Sequence, residues 1–251
     1  MLEIRGVTRH FGGVHALSGV DLTIAGGGIV GMIGPNGAGK TTLFNCISGV
    51  LPVSGGEIHF RGERIDGMPP HLISGKGLVR TFQIARGFPR LTVLESLLLY
   101  GTDQPGEGLL QALTRSKASL RREEELLDKA LKIAERLKLS HVLDNKAADL
   151  SGGQKKLLEI GRALMRDPGM LLLDEPMAGV NPSLVREIGE RLITIARDGV
   201  TIILIEHQMD LISRLCDHVV VMADGRKMIE GTFEFVAGNK DVQSAYMGSR
   251  R

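Results

Sequence analysis

The segment Gly34-Pro35-Asn36-Gly37-Ala38-Gly39-Lys40-Thr41-Thr42 decides the fold of this chain. The apolar run Ile29–Ile33 precedes it and predicts a buried strand, and the apolar spacing after it predicts a helix that ends before Gly49. Glycines let the loop backbone adopt positive φ and come close to an anion, so successive N–H groups and the helix N-terminus can face phosphate groups. The sequence therefore predicts a phosphate-binding loop between a strand and a helix.

The loop also carries the side chains that a nucleotide site requires. We expect Lys40 to reach the β- and γ-phosphates of ATP and the Thr41 hydroxyl to bind Mg²⁺. A glycine-rich turn without a ligand would explain the glycines but not the Lys-Thr pair. The residues expected to bind the nucleotide here are Gly34, Pro35, Asn36, Gly37, Ala38, Gly39, Lys40, Thr41 and Thr42.

A second apolar run, residues 171–173, ends at two acids, Asp174 and Glu175. Such a run is typical of a central strand in a parallel sheet that is covered on both faces. At the carboxyl end of that strand Asp174 can hold Mg²⁺ through water, and Glu175 is placed to orient or deprotonate an attacking water. By itself the pair would indicate a solvated strand end. Together with the phosphate-binding loop, it predicts a site for hydrolysis.

The segment Leu150-Ser151-Gly152-Gly153-Gln154 predicts a second anion site. Small residues, a hydroxyl and free N–H groups stand there at the start of a predicted helix, where the helix dipole favours an anion. Ser151 also suits an ordinary helix N-cap. One chain rarely needs two sites for a γ-phosphate. The economical arrangement is two copies placed head to tail, so that Ser151, Gly152, Gly153 and Gln154 of each copy cover the nucleotide of the other.

In this order, the segments resemble the ATP-binding cassette of an ABC transporter, and the resemblance covers nearly all of the chain. It implies a single ABC ATP-binding domain with an α/β fold over residues 1–251. The core is that of a P-loop NTPase (an ABC ATPase), joined by an antiparallel β-subdomain and an inserted α-helical subdomain. Apolar spacing of helical period after residue 88 agrees with that insertion. The expected divisions are a nucleotide-binding core at 1–87 and 151–231, a helical subdomain at 88–150 and a C-terminal helical appendage at 232–251.

The resemblance gives roles to three further residues. Phe11 resembles the aromatic that stacks on adenine, although a core phenylalanine in a hairpin is the alternative. Gln83 resembles the glutamine that contacts Mg²⁺ and the attacking water, and His207 resembles the histidine that bonds the γ-phosphate. Catalytic roles are thus expected for Lys40, Gln83, Glu175 and His207, and metal binding for Thr41, Gln83 and Asp174.

One position departs from the family pattern. Asn181 stands before Pro182 where most cassettes carry an aspartate. Asparagine is a strong N-cap and proline suits the first helical position, so the pair fits the start of a helix running to Arg197. The other interpretation is that the missing acid alters communication between the two subunits.

Shorter segments resemble the ATP-binding subunits of branched-chain amino-acid importers in particular. These segments are Arg80-Thr81-Phe82-Gln83, Leu91-Thr92-Val93-Leu94-Glu95-Ser96, Ala178-Gly179-Val180-Asn181-Pro182, Ile205-Glu206-His207-Gln208-Met209 and Asp241-Val242-Gln243-Ser244-Ala245-Tyr246-Met247-Gly248. Importers of urea or short amides and lipopolysaccharide exporters have similar ATPases. An ABC ATPase of iron–sulfur cluster assembly, which also has a single cassette, is an alternative from another class.

The resemblance implies several partners. They are two transmembrane permease subunits, a second ATP-binding subunit and, indirectly, a periplasmic solute-binding protein. The second ATP-binding subunit can be identical or different, and branched-chain importers usually pair two different ones. A peripheral position on the cytoplasmic face of the inner (plasma) membrane is implied as well. The transported solute is recognised by other subunits, so this chain does not identify it.

Composition agrees with a globular subunit that works through partners. The 251 residues are 43% hydrophobic, which is sufficient for a large core. We find no apolar run near the roughly 18 residues needed to cross a bilayer. The net charge of +2, with mixed signs, gives no electrostatic reason to expect nucleic acid as a partner.

Overall fold

The computed structural model describes residues 1–81, 88–102 and 117–248. The strands are β1 (Leu2–Phe11), β2 (Val14–Ile24), β3 (Ile29–Ile33), β4 (Gly55–Phe60), β5 (Glu63–Arg64), β6 (Leu78–Arg80), β7 (Met170–Asp174), β8 (Thr201–Ile205), β9 (His218–Ala223) and β10 (Arg226–Gly231). The α-helices are α1 (Lys40–Ile47), α2 (Pro70–Gly75), α3 (Val93–Leu98), α4 (Lys117–Arg136), α5 (Gly152–Leu164), α6 (Pro182–Arg197), α7 (Met209–Leu215), α8 (Phe233–Ala237) and α9 (Lys240–Gly248). Gln83 lies outside the described residues.

These residues form two compact units. The first comprises residues 1–81, 169–178 and 192–248, and the second comprises 88–102, 117–168 and 179–191. The second unit differs from the predicted helical subdomain because it includes α5 and the first part of α6. Contacts of α5 with α3 and α4 decide this boundary, and the local sequence does not reveal such contacts.

The first unit contains two sheets. One has four antiparallel strands in the order β2-β1-β4-β5, and the other has six strands in the order β10-β9-β3-β8-β7-β6. The second sheet is parallel from β6 to β9, and β10 pairs antiparallel with β9. Strands β3, β7 and β8 are buried along their whole length, as expected for apolar strands in a covered parallel sheet.

Helix α1 and the antiparallel sheet share one apolar core with the parallel sheet. Leu43, Phe44 and Ile47 form the buried face of α1, with the i, i+1, i+4 spacing of an amphipathic helix. They pack with β-branched and leucine side chains of both sheets, among them Ile4, Ile58 and Ile205. This core holds the start of α1 against the ends of the parallel strands. The α/β P-loop fold with an antiparallel subdomain is confirmed.

The second unit is helical. Helix α4 buries Leu126, Ala130, Ile133 and Ala134, one stripe with helical spacing, and presents charged residues elsewhere. Helix α5 contributes Leu157, Leu158 and Ile160 among its buried residues. Within the described part of the chain, no helix combines the length and the apolar character that a membrane span requires.

Candidate functional site

The predicted phosphate-binding loop connects β3 to α1 through backbone with positive φ, which glycine adopts readily. Gly34 has φ of +147°, and a Cβ atom there would lie 2.0 Å from the carbonyl oxygen of Met222. Gly39, the residue before α1, has φ of +94°, and its Cβ would lie 2.6 Å from the carbonyl oxygen of Ala16. Both positions therefore require glycine, because any side chain would meet backbone that cannot move aside.

Lys40 is folded into this loop. Its side chain is buried, and Nζ donates hydrogen bonds to the carbonyl oxygens of Gly34 at 2.7 Å and Pro35 at 3.0 Å. Burial lowers the pKa of Lys40, while the negative charges of Glu175 and Asp174 act in the opposite direction. The ammonium group is thus held inside the loop with carboxylates nearby.

Asp174 ends strand β7 and is 4% exposed. Its Oδ2 accepts a hydrogen bond from Arg80 Nη2 at 3.1 Å, so the two charges form a buried ion pair. Burial raises the pKa of Asp174, and the charge of Arg80 is the main influence that lowers it. Glu175 raises that pKa further, and a hydrogen bond from the Thr41 side chain lowers it. The Thr41 hydroxyl and the Asp174 carboxylate, both predicted metal ligands, therefore lie together.

Glu175 and His207 form the second pair at the site. Glu175 Oε1 lies 2.9 Å from His207 Nε2, and both side chains are partly exposed. Glu175 has φ of +48°, an uncommon conformation for a side chain of this kind. Its backbone N–H donates to the carbonyl oxygen of Ile205, which fixes the residue to the neighbouring strand β8. Backbone strain of this type persists where the surroundings determine the conformation, and it is frequent at functional sites.

A single pocket collects most of the predicted residues of the first unit. Its volume is about 190 Å³. The lining residues are Ala16, Asn36, Gly37, Ala38, Gly39, Lys40, Thr41, Thr42, Glu175 and His207. The carboxyl ends of parallel strands meet at one edge of a sheet, and this edge brings the loop after β3 together with residues that follow β7 and β8. The pocket therefore has backbone N–H groups, a cation, a carboxylate and an imidazole around one space.

Phe11 lies at the end of β1, at the hairpin between β1 and β2. The side chain is 43% exposed, and the guanidinium carbon of Arg9 lies 4.7 Å from the centre of its ring. The alternative of a core phenylalanine is therefore wrong. An exposed ring of this kind is free to stack on a base.

The predicted second anion site begins helix α5 in the second unit. Ser151 and Gln154 form a capping box, in which Gln154 N donates to Ser151 Oγ at 3.3 Å and Ser151 N donates to Gln154 Oε1 at 2.9 Å. Ser151 and Gly152 are exposed, whereas Gly153 is buried against Leu184. The Ser151 side chain thus caps the helix, as one of the two interpretations of this residue states.

Asn181 caps helix α6 in the same unit. Its Oδ1 accepts hydrogen bonds from the backbone N–H and from the hydroxyl of Ser183, each at 3.0 Å. The carbonyl oxygen of Asn181 also accepts from the N–H groups of Leu184 and Val185. The N-cap interpretation of Asn181 agrees with this geometry.

Two charged residues of the site were not singled out from the sequence. Arg80 pairs with Asp174, and Glu206 is 4% exposed, accepting from the N–H groups of Met177 at 3.0 Å and His207 at 3.2 Å. Burial raises the pKa of Glu206. In both cases the available signal was a charged residue at the end of an apolar strand, since Arg80 ends β6 and Glu206 follows β8.

Comparisons with known proteins agree with this geometry. A family model described as "ABC transporter" matches residues 17–178. The chain is 41% identical over its full length to the probable branched-chain amino acid transport ATP-binding protein LivG of Archaeoglobus fulgidus, of which it covers 96%. It is 40% identical to the high-affinity branched-chain amino acid transport ATP-binding protein BraF of Pseudomonas aeruginosa, with 99% of this chain and 98% of that protein covered.

A solved structure gives the same result. The ADP conformation of an ATP-binding cassette of an ABC transporter superimposes with a TM-score of 0.86 at 40% identity, covering 99% of this chain and 98% of that one. Its fold is therefore the fold described here, over nearly the whole length of both chains. On the loop geometry, the family match and these full-length similarities together, the chain belongs to the ABC transporter family as one of its ATP-binding cassettes.

Proposed function

We propose that this chain hydrolyses ATP to power the import of branched-chain amino acids through a pair of membrane subunits. The observation that carries the proposal is the pocket that places Lys40, Glu175 and His207 around one space. The full-length similarity to ATP-binding proteins named for branched-chain amino acid transport supports the choice of solute. We further propose that residues 1–87 and 151–231 act as the nucleotide-binding core, 88–150 as the helical subdomain and 232–251 as an appendage, within one cassette.

The loop fits the phosphates of ATP. Gly34 and Gly39 let the loop pack against the carbonyl oxygens of Met222 and Ala16, which fixes the conformation in which its N–H groups would meet the phosphates. Lys40 Nζ, now bonded to the carbonyl oxygens of Gly34 and Pro35, is placed to turn towards the β- and γ-phosphates. Its neighbours Thr41 and Thr42 lie in the first turn of helix α1, whose N-terminus favours negative charge. Phe11 would stack on the adenine.

The donor set also fits Mg²⁺. The Thr41 hydroxyl and the Asp174 carboxylate supply hard oxygen atoms, which Mg²⁺ prefers, and they lie within reach of each other. Gln83, outside the described residues, would be a further ligand. Bound Mg²⁺ would neutralise charge on the β- and γ-phosphates. Asp174 would hold it through water.

Glu175 and His207 would act on the attacking water and the γ-phosphate. The hydrogen bond between them at 2.9 Å holds the Glu175 carboxylate beside the pocket, where it can orient or deprotonate water. His207 would bond the γ-phosphate. The φ of +48° at Glu175 and its backbone hydrogen bond to β8 limit the positions that the carboxylate can reach. Such pre-positioning favours a reaction in which the protein contributes chiefly geometry and charge.

The start of helix α5 would complete the site of a second copy. Ser151 and Gly152 are exposed at a capped helix start, and a helix start of this kind suits the γ-phosphate of a neighbouring subunit. We propose that two cassettes, identical or different, bind two ATP molecules between them in this way. Their partners would be two permease subunits and, indirectly, a solute-binding protein, with the cassette peripheral to the membrane on its cytoplasmic face.

Transport in reconstituted vesicles tests the proposal. The chain is co-expressed with permease and ATP-binding subunits of a branched-chain amino-acid importer, purified as a complex and placed in proteoliposomes containing ATP and Mg²⁺. We expect leucine uptake that depends on ATP and disappears with Lys40→Ala. Uptake of urea or a short amide in place of leucine would contradict the choice of solute. Failure to purify with any polytopic membrane protein would favour the iron–sulfur assembly class instead.

A further inference from the structure

We propose that Arg80 is a positioning residue that sets the affinity of this site for Mg²⁺ by fixing the orientation of the Asp174 carboxylate. The inference rests on the proposed function, because it concerns the metal that accompanies ATP. Arg80 is not among the residues that line the pocket, and its ion pair is with Asp174.

The pair itself is the first observation. Arg80 Nη2 donates to Asp174 Oδ2 at 3.1 Å, and the two side chains are 7% and 3% exposed. Water screens such a pair little. With Oδ2 engaged, the carboxylate cannot turn without breaking a charge-assisted hydrogen bond in a buried place. Its remaining lone pairs therefore point in a fixed direction before any metal arrives.

The second observation is that the other branch of the same guanidinium is anchored too. Arg80 Nη1 donates to Asn45 Oδ1 and, at 3.3 Å, to Ser48 Oγ, and both acceptors lie on or directly after helix α1. The guanidinium carbon also lies 5.8 Å from the centre of the Phe44 ring on that helix. A planar, multiply bonded guanidinium has little freedom.

These contacts connect two of the three expected metal ligands, Thr41 and Asp174. Helix α1 begins at Lys40 and carries Thr41 in its first turn, whereas Asp174 ends strand β7. Arg80, at the end of the neighbouring strand β6, bonds to both elements. It thus fixes the position of the Asp174 carboxylate relative to the helix that carries the Thr41 hydroxyl. Groups that orient metal ligands in this way commonly contribute to metal affinity.

Stability is the weaker explanation of the pair. A buried ion pair gains little over well-packed apolar side chains, since the cost of removing both charges from water offsets their attraction. Strands β6 and β7 are already joined by backbone pairing from Leu78 to Arg80. An arginine at this position is explained if Asp174 must keep one orientation. It is not explained by a need to hold strands β6 and β7 together.

The experiment measures binding, not turnover. A fluorescent, non-hydrolysable ATP analogue is titrated into the purified chain at a series of Mg²⁺ concentrations and in EDTA. For Arg80→Met we expect the half-saturating Mg²⁺ concentration to rise about tenfold, as is usual when a residue that orients a metal ligand is removed. Binding of the analogue in EDTA should stay unchanged. Arg64→Met, which removes an exposed arginine paired with Asp66 in the same unit, is the matched control and should leave both values unchanged.

A double-mutant cycle separates positioning from a general structural effect. If Arg80 acts through Asp174, adding Arg80→Met to Asp174→Asn should leave the Mg²⁺ requirement of Asp174→Asn as it is. The inference would be overturned if Arg80→Met raised the half-saturating Mg²⁺ concentration of Asp174→Asn as much as it raises that of the unmutated chain. It would also be overturned if Arg80→Met caused no rise in the chain that keeps Asp174.

Arg80→Lys keeps the charge but loses the planar fork, so it serves if Arg80→Met fails to fold. For Arg80→Lys we expect a smaller rise in the half-saturating Mg²⁺ concentration, again only when Asp174 is present. An unchanged Mg²⁺ dependence would count against the inference. An unmutated chain that does not bind the analogue at all would contradict the proposed function instead. The two failures are therefore distinguishable.

Discussion

The loop at residues 34–42 and the helix start at residues 151–154 are the two anion sites that we propose, and they are built differently. The loop surrounds a buried cation, Lys40, and lies beside the buried Asp174. The helix start consists of uncharged residues, of which Ser151 and Gly152 are exposed, and its polar side chains cap its own backbone. The first thus combines a cation with nearby carboxylates, whereas the second has no charged group, which suits the proposal that it covers a ligand held by another subunit.

The largest expected effect tests whether that ligand belongs to another subunit. Ser151→Arg should abolish ATP hydrolysis while leaving the nucleotide affinity of the monomer unchanged, because the bulky cation obstructs a site that acts on the partner's ATP. Phosphate release and equilibrium nucleotide binding measure the two quantities. Ser244→Arg, on the exposed face of α9, is the matched control.

Mixing variants sharpens this test. A dimer of Ser151→Arg with Lys40→Ala keeps one composite site in which both halves are intact, so the mixture should recover activity that neither variant has alone. Loss of ATP binding by monomeric Ser151→Arg would show that the helix start serves its own nucleotide, and the contrast between the two regions would then fail.

The next largest effect concerns catalysis at the pocket beside the loop at residues 34–42. Glu175→Gln should keep ATP binding but lower turnover about 10²- to 10⁴-fold, the usual range for the loss of a positioned base. Glu57→Gln is a matched control, because Glu57 also pairs with a histidine, His59, at 3.0 Å and does not line the pocket. Near-normal turnover of Glu175→Gln would remove this residue from the role.

Glycine substitutions compare the rigidity of the two regions. Gly34→Ala should lower the free energy of unfolding by about 1–3 kcal/mol, because it combines a strained φ with a clash against the Met222 carbonyl. Gly152→Ala meets open space and should change it by no more than about 0.5 kcal/mol. Urea denaturation measures both. Equal effects would mean that the loop is no more constrained than the helix start.

The smallest expected effect lies at Asn181 in the second unit. Asn181→Ala removes the acceptor for Ser183 and should cost about 1 kcal/mol, whereas Asn181→Asp should preserve stability since both residues cap well. Thermal unfolding of the two variants decides the matter. Equal melting of Asn181→Ala and the unmutated chain would exclude the cap role. A change in ATPase rate with Asn181→Asp, at constant melting temperature, would favour a role in communication between subunits.

The parts of the fold that depend on local pattern could be predicted from the sequence. Strands β3 and β8 coincide with the apolar runs Ile29–Ile33 and Thr201–Ile205, because five buried residues in a covered parallel strand leave a continuous apolar signal. The gathering of Lys40, Glu175 and His207 follows from the same pattern, since their strands are neighbours in the sheet. Their roles in catalysis stay predictions.

Pairings that depend on register and packing could not be predicted. Arg80 reaches Asp174 because β6 pairs with β7 so that Arg80 lies beside Leu172, and nothing in the two segments specifies that register. Likewise, the boundary of the second unit depends on which face of α5 meets α3 and α4. Gln83 was predicted by resemblance, and its position lies outside the described residues.

The buried carboxylate of Glu206 joins two separate turns of the chain by hydrogen bonds. One of its oxygens accepts from Met177, just after Glu175, and the other accepts from His207. A carboxylate differs from the amide of glutamine in offering an acceptor at both ends of its fork. The two oxygens of this one carboxylate therefore set the distance between the turn that carries Glu175 and the turn that carries His207. A displacement of either turn would shift the other.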